Sequence, residues 1–142
     1  MKNNLSLVLD THIWIWWIEQ NSRLPNYLKA IIENSETTVA ISAVSIYELL
    51  RAVARDRLQL NVSPDEWLEK ATHGVDLTVL PVTFDIATIA ARLPAIHGDP
   101  LDRLIIATAL CHQSQLASLD GNFAKYPELQ GLLATNIQES LP

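Results

Sequence analysis

The chain has one cysteine and four glycines in 142 residues, and no long apolar run. The lone Cys111 excludes an internal disulfide framework and reads as a core residue. The longest apolar stretches, at 13–18 and 104–111, fall well short of the roughly 20 residues needed to cross a bilayer, so no membrane span is expected. No basic stretch followed by an apolar one opens the sequence, and the cytoplasm is the expected compartment. Positive charge is scarce too. Ten Lys and Arg stand against sixteen Asp and Glu, a net charge of -6, which argues against binding nucleic acid through a broad basic face. A nucleic-acid enzyme remains open, because carboxylates can hold divalent cations that present positive charge to phosphate.

At 142 residues with 49% hydrophobic content, the composition is that of one compact domain. Residues 5–9 read as a buried strand ending in Asp10, and a helix opens around Thr11. A second helix is expected from Pro25, with Leu28, Ile31 and Ile32 on one face. Residues 38–42 read as a strand. From Ala43, the positions Ala43, Ile46, Tyr47, Leu50 and Ala54 follow helical spacing and predict an inward stripe. A helix at 64–73 capped by Ser63, a strand at 77–82 and a helix at 83–93 ended by Pro94 follow. Pro100 opens another helix, with Leu101, Leu104, Ile105, Thr108 and Cys111 on one side. Residues 116–119 form the next strand, ending in Asp120, and the tail predicts a helical turn and an edge strand near 133–137. Strands alternating with helices predict an α/β fold, a three-layer α/β/α sandwich around a mainly parallel sheet. Ligands in such sheets bind at the carboxyl ends of the strands.

Four acids are assigned to that edge. Asp10 and Asp120 end strands, and Glu48 and Asp102 lie in the first turns of helices. Carboxylates at close quarters raise one another's pKa and oppose folding unless a cation compensates them, and oxygen ligands select Mg²⁺ or Mn²⁺ over Zn²⁺. Each acid also has a local role open to it. Asp10 suits an N-cap, Glu48 a Ser45-x-x-Glu48 capping box or a pair with Arg51, Asp102 the positive end of a helix, and Asp120-Gly121 an ordinary turn. Asp99 is an evident N-cap before Pro100. Capping does not explain why four separate segments bring acids to one edge.

The segments Leu9-Asp10-Thr11-His12, Ile41-Ser42-Ala43-Val44-Ser45-Ile46-Tyr47-Glu48, Asp99-Pro100-Leu101-Asp102-Arg103-Leu104-Ile105-Ile106-Ala107-Thr108-Ala109 and Leu119-Asp120 resemble the motifs of PIN-domain ribonucleases, VapC toxins in particular. The resemblance spans nearly the whole chain in order. It implies endoribonuclease activity, Mg²⁺ or Mn²⁺ as cofactor, a homodimer, and inhibition by a VapB-type antitoxin. By position, Asp10, Glu48, Asp102 and Asp120 correspond to the acidic quartet of the family, Thr11 to the hydroxyl beside the first acid, and Ser118 to the small hydroxyl residue before the last. Asp99 lies outside the quartet, as a cap or as support behind the ligands.

Arg103 follows Asp102 and is a candidate to orient it, to hold phosphate, or to form a structural ion pair. Arg51 and Arg55 share a helical stripe with Glu48 and are candidates for RNA or partner contacts, a solvated stripe being the alternative. His12 and His97 are assigned to the rim of the site. The helix carrying Trp14, Trp16 and Trp17 serves the core, a dimer or an antitoxin. Two other functions compete. A receiver or phosphotransferase domain also places acids at strand ends, but no lysine faces them here and Asp10-Thr11-His12 lacks a second Asp. A non-catalytic module of the same fold would not require all four acids.

Overall fold

A computed structural model of the chain describes residues 6–96 and 98–134. Strand β1 (Leu7–Leu9) leads into α1 (Thr11–Ile18) and α2 (Asn26–Glu33), then β2 (Val39–Ser42), α3 (Ala43–Ala54) and α4 (Pro64–Thr72). After these come β3 (Thr78–Leu80), α5 (Phe84–Arg92), α6 (Pro100–Cys111) and β4 (Gln115–Ala117), followed by two 3-10 turns. The four strands are all parallel, in the order β3-β2-β1-β4. The chain moves outward from β1 through β2 to β3 and then crosses back to β4. The crevice where that order reverses lies beyond the carboxyl ends of β1 and its neighbours.

Alternation along the strands builds two cores. Leu7, Leu9, Val39 and Ile41 pack with α1, α2, α3 and α4 on one face, while Val8 and Leu116 pack with α6 and the 3-10 turns on the other. This is the three-layer α/β/α arrangement. The indoles part company within α1. Trp14 is fully buried, donates from Nε1 to the Ala71 carbonyl at 3.2 Å and meets Trp67 edge-on. Trp17 donates to Glu33 at 3.2 Å, and Trp16 faces a surface cleft.

Two expectations are corrected. Pro25 is the N-cap of α2, one residue before the first turn. The inward face of α3 is Ser45 and Leu49, whereas Tyr47 and Leu50 of the expected stripe are exposed. Apolar residues encircle α3, so periodicity left its rotation open, and buried polar contacts from Ser45 set it. At the expected edge strand near 133–137, Leu133 forms a parallel bridge with Leu116, and residues 135–137 lie outside the described residues. No described helix is long and apolar enough to cross a membrane.

Candidate metal centre

Asp10 follows β1 directly and caps α1, its Oδ1 accepting from the Ile13 N–H at 2.9 Å. Capping and burial coincide, since the residue is only 7% exposed. No capping box forms at α3. Ser42 is the N-cap, and Glu48 sits in the second turn, where its Oε1 accepts from the Thr11 hydroxyl at 2.6 Å. Thr11 Oγ1 lies 2.8 Å from Ser45 Oγ. A threonine hydroxyl has one proton, and Glu48 takes it, so Ser45 must donate to Thr11. Arg51 leaves Glu48 alone: it donates to the Tyr47 hydroxyl at 3.0 Å with its guanidinium 5.5 Å over the ring.

At α6, Pro100 occupies the first turn and Asp99 caps it, Oδ1 accepting from the Leu101 N–H at 2.9 Å. Carboxylate oxygens of Glu48, Asp99 and Asp102 lie within 4.8 Å of one another. Asp10 and Asp120 line the same cleft of about 400 Å³ with these three. Asp120 is exposed and bound into its turn, with Oδ1 accepting from the Asn122 N–H at 2.9 Å. Its own N–H donates to Ser118 Oγ at 3.1 Å.

Burial holds the Asp10 carboxyl above its ordinary range. The Ser118 hydroxyl, the Ile13 N–H and the His12 charge pull it down, and the Asp120 charge adds to the rise. Burial likewise raises Glu48, opposed by the Thr11 hydroxyl and aided by the charge of Asp99. These are carboxylates short of positive compensation. An all-oxygen set of three acids, with two more at the same cleft, fits a hard divalent cation.

Asp99 is the residue whose share in the cluster the quartet left out. Its spacing of three from Asp102 across a helix start sets both on one side, a signal present in the sequence. Arg103, expected near Asp102 or phosphate, instead donates to the carbonyls of Ala90, Leu93 and Pro94 at 2.9, 2.7 and 2.7 Å. It closes the end of α5, because one helical position past Asp102 points about 100° away. His12 is exposed at the rim, and His97 lies outside the described residues.

The PIN domain model matches residues 7–129 of the sequence, a span that includes all five acids. The chain belongs to the PIN-domain family. Within it, the chain is 33% identical over 116 residues to Ribonuclease VapC22 of Mycobacterium tuberculosis (strain ATCC 25618 / H37Rv), covering 81% of this chain and 87% of that one. Its PIN fold is also similar to VapBC2 from Rickettsia felis, solved with a promoter DNA fragment, at a TM-score of 0.65 and 18% identity over 88% of this chain and 96% of that one. A toxin-antitoxin complex from Klebsiella pneumoniae gives 0.64 and 22% over 92% and 97%.

Proposed function

We propose that this PIN domain is a metal-dependent endoribonuclease, the toxin of a toxin–antitoxin pair, with Mg²⁺ as cofactor and Mn²⁺ as substitute. The observation that carries the reading is the convergence of Glu48, Asp99 and Asp102 oxygens within 4.8 Å, beside buried Asp10. It is supported by a relative that is a ribonuclease and by fold neighbours solved in toxin-antitoxin complexes.

Glu48, Asp99, Asp102 and Asp10 would hold the cation, with Asp120 at the rim. Such a cation polarises a phosphate oxygen and lowers the pKa of water. The chain supplies the geometry. The Ser45–Thr11–Glu48 relay fixes one carboxylate, the Ile13 N–H and Ser118 fix Asp10, and the Leu101 N–H fixes Asp99. The start of α6 brings its positive end to the same place. No protein nucleophile is required, so a single in-line attack by water on phosphorus accounts for hydrolysis.

Purified protein is expected to cleave RNA with Mg²⁺ or Mn²⁺ and to stop in EDTA. Asp10→Ala and Asp102→Ala are each expected to remove most of the activity. Undiminished cleavage in EDTA would overturn the mechanism, and absence of cleavage with metal would leave a non-catalytic PIN module. The partner expected in this reading is a VapB-type antitoxin, whose cationic side chain can take the place of a metal among the acids.

A further inference from the structure

The acidic cleft has one permanent cation of the chain's own at its wall. Asp10, Glu48, Asp99, Asp102 and Asp120 line it, and among the described residues Arg23 is the one Lys or Arg that lines it with them. Arg23 also lines an adjoining cleft of about 790 Å³, so its side chain stands at the boundary of the two. Glu48 lines both clefts as well. His12 shares that boundary, but an imidazole is neither permanently charged nor forked.

The backbone under Arg23 is held on both sides. Gln20 after α1 adopts left-handed backbone, with φ of 52°, and its side-chain amide donates to the Trp17 carbonyl at 2.7 Å and accepts from Lys29 Nζ at 2.7 Å. The Asn21 N–H reaches back to the Trp16 carbonyl at 2.9 Å, Asn21 Oδ1 accepts from the Arg23 N–H at 2.8 Å, and Leu24 is buried directly afterwards. The guanidinium is not held. Arg103 spends its donors on three carbonyls, whereas the Arg23 side chain has no hydrogen bond or ion pair among the described residues. An arginine serving the fold has acceptors; this one has its donors unspent beside a group of carboxylates.

Charge decides where such a side chain rests. Burial and mutual repulsion both oppose ionisation of Asp10 and Glu48, so without a bound cation the acids gain from any positive charge that reaches them. A guanidinium is always charged, and its fork matches a carboxylate with two hydrogen bonds. A divalent cation on the same oxygens reverses the local field, and the adjoining cleft then becomes the better place for an arginine. We infer that Arg23 is a built-in counter-ion: it turns into the acidic cleft and pairs with Glu48 in the metal-free protein, and it leaves for the adjoining cleft when metal binds. Metal and arginine then exclude one another, each weakening the hold of the other by the same factor. One guanidinium leaves the five acids well short of neutral, so a divalent cation still displaces it. The inference rests on the metal-site reading above and adds how the site is kept before metal arrives.

The test follows the whole protein by nuclear magnetic resonance, first in EDTA and then over a titration with Mg²⁺. The Ile13 and Leu101 amide signals report on metal, because their N–H groups bond Asp10 and Asp99. The Arg23 Nε–H signal, assigned by its loss in Arg23→Gln, is expected to exchange slowly with water in EDTA and faster as those amides shift. In melts, Arg23→Gln is expected to lower Tm in EDTA by about 2–4 °C and to match wild type in saturating Mg²⁺. Mn²⁺ should bind the variant about tenfold more tightly. Arg23→Lys keeps the charge without the fork and should fall between the two proteins, while Arg92→Gln, on α5 and lining neither cleft, should match wild type. An Arg23→Lys equal to wild type in melts and in Mn²⁺ affinity would make Arg23 a rim charge acting at a distance, and would overturn the inference. So would an Arg23 signal indifferent to Mg²⁺ while Ile13 and Leu101 shift. If neither amide shifts and no melt responds to metal, the metal-site reading falls and the counter-ion falls with it.

Discussion

The Thr11 hydroxyl donates to Glu48 Oε1 across 2.6 Å, joining the first residue of α1 to the second turn of α3 over 37 positions of sequence. That bond is the larger of two effects that counter burial at Glu48, the charge of His12 being the other. Thr11→Val keeps the shape and removes the donor, so the Glu48 carboxyl is expected to rise further. A cation binds only the ionised carboxylate, and metal binding should therefore fail at higher pH than in wild type as pH is lowered. The check is the rise in Tm produced by Mn²⁺, measured across pH 5 to 8. Thr11→Ser should restore the wild-type profile, and an unshifted profile in Thr11→Val would deny the bond any role in ionisation.

The same electrostatics sets how stability depends on pH. Asp10 and Glu48 bind protons in the folded state at higher pH than in the unfolded chain, where carboxyls titrate near 4. Between the raised values and about pH 4 the folded state therefore binds more protons, and stability of metal-free protein should increase as pH falls from neutrality into that window. Asp10→Asn preserves the cap to Ile13, because Asn caps as well as Asp, and removes the buried charge. It is expected to be more stable than wild type at pH 7 without metal by about 1 kcal/mol, and to show a weaker pH dependence. A less stable Asp10→Asn in denaturant titration would mean that Asp10 pays no electrostatic cost.

Arg103 carries a separate expectation, because its three backbone acceptors make it part of α5 rather than of the site. Arg103→Gln is expected to cost about 2–4 kcal/mol through carbonyls left unsatisfied. Arg103→Lys should recover little, since an ammonium cannot span the fork of a guanidinium. Cleavage per folded molecule, assayed well below Tm, should stay near wild type in both. A catalytic loss without a stability loss would return Arg103 to the phosphate.

Much of the fold was legible because strands and helices alternate with clear stops: Ser63 caps where expected, and Pro94 and Pro100 flank the turn before α6. The edge of the sheet that gathers acids followed from that topology. The rotation of α3 did not, because its apolar residues lie all round and the deciding contact, Ser45 with Thr11, is between side chains 34 positions apart. The direction of Arg103 was hidden for a similar reason, its acceptors being carbonyls whose positions depend on how α5 packs against α6. Asp99 shows that capping and clustering were never exclusive. One Oδ1 accepts from Leu101 while the carboxylate stands beside Glu48 and Asp102.

That double duty can be taken apart. Asp99→Ser keeps a good N-cap for α6, since a serine hydroxyl accepts from the same kind of N–H, but it removes one negative charge from the cluster. Were Asp99 a cap alone, the variant would match wild type in stability and in its response to metal. As a member of the cluster, it should make the metal-free protein at least as stable near neutral pH, because Asp99 raises Glu48 by repulsion. The added stability conferred by millimolar Mg²⁺ or Mn²⁺ follows the affinity of the native state, so losing one oxygen ligand should shrink the rise in Tm. Asp102→Asn, which keeps the cap at Asp99 intact and neutralises the other member on α6, should behave alike. Thermal melts of the three proteins with metal and with EDTA decide the matter: an Asp99→Ser whose metal response equals wild type, beside an Asp102→Asn that has lost it, would confine the ligands to the original quartet.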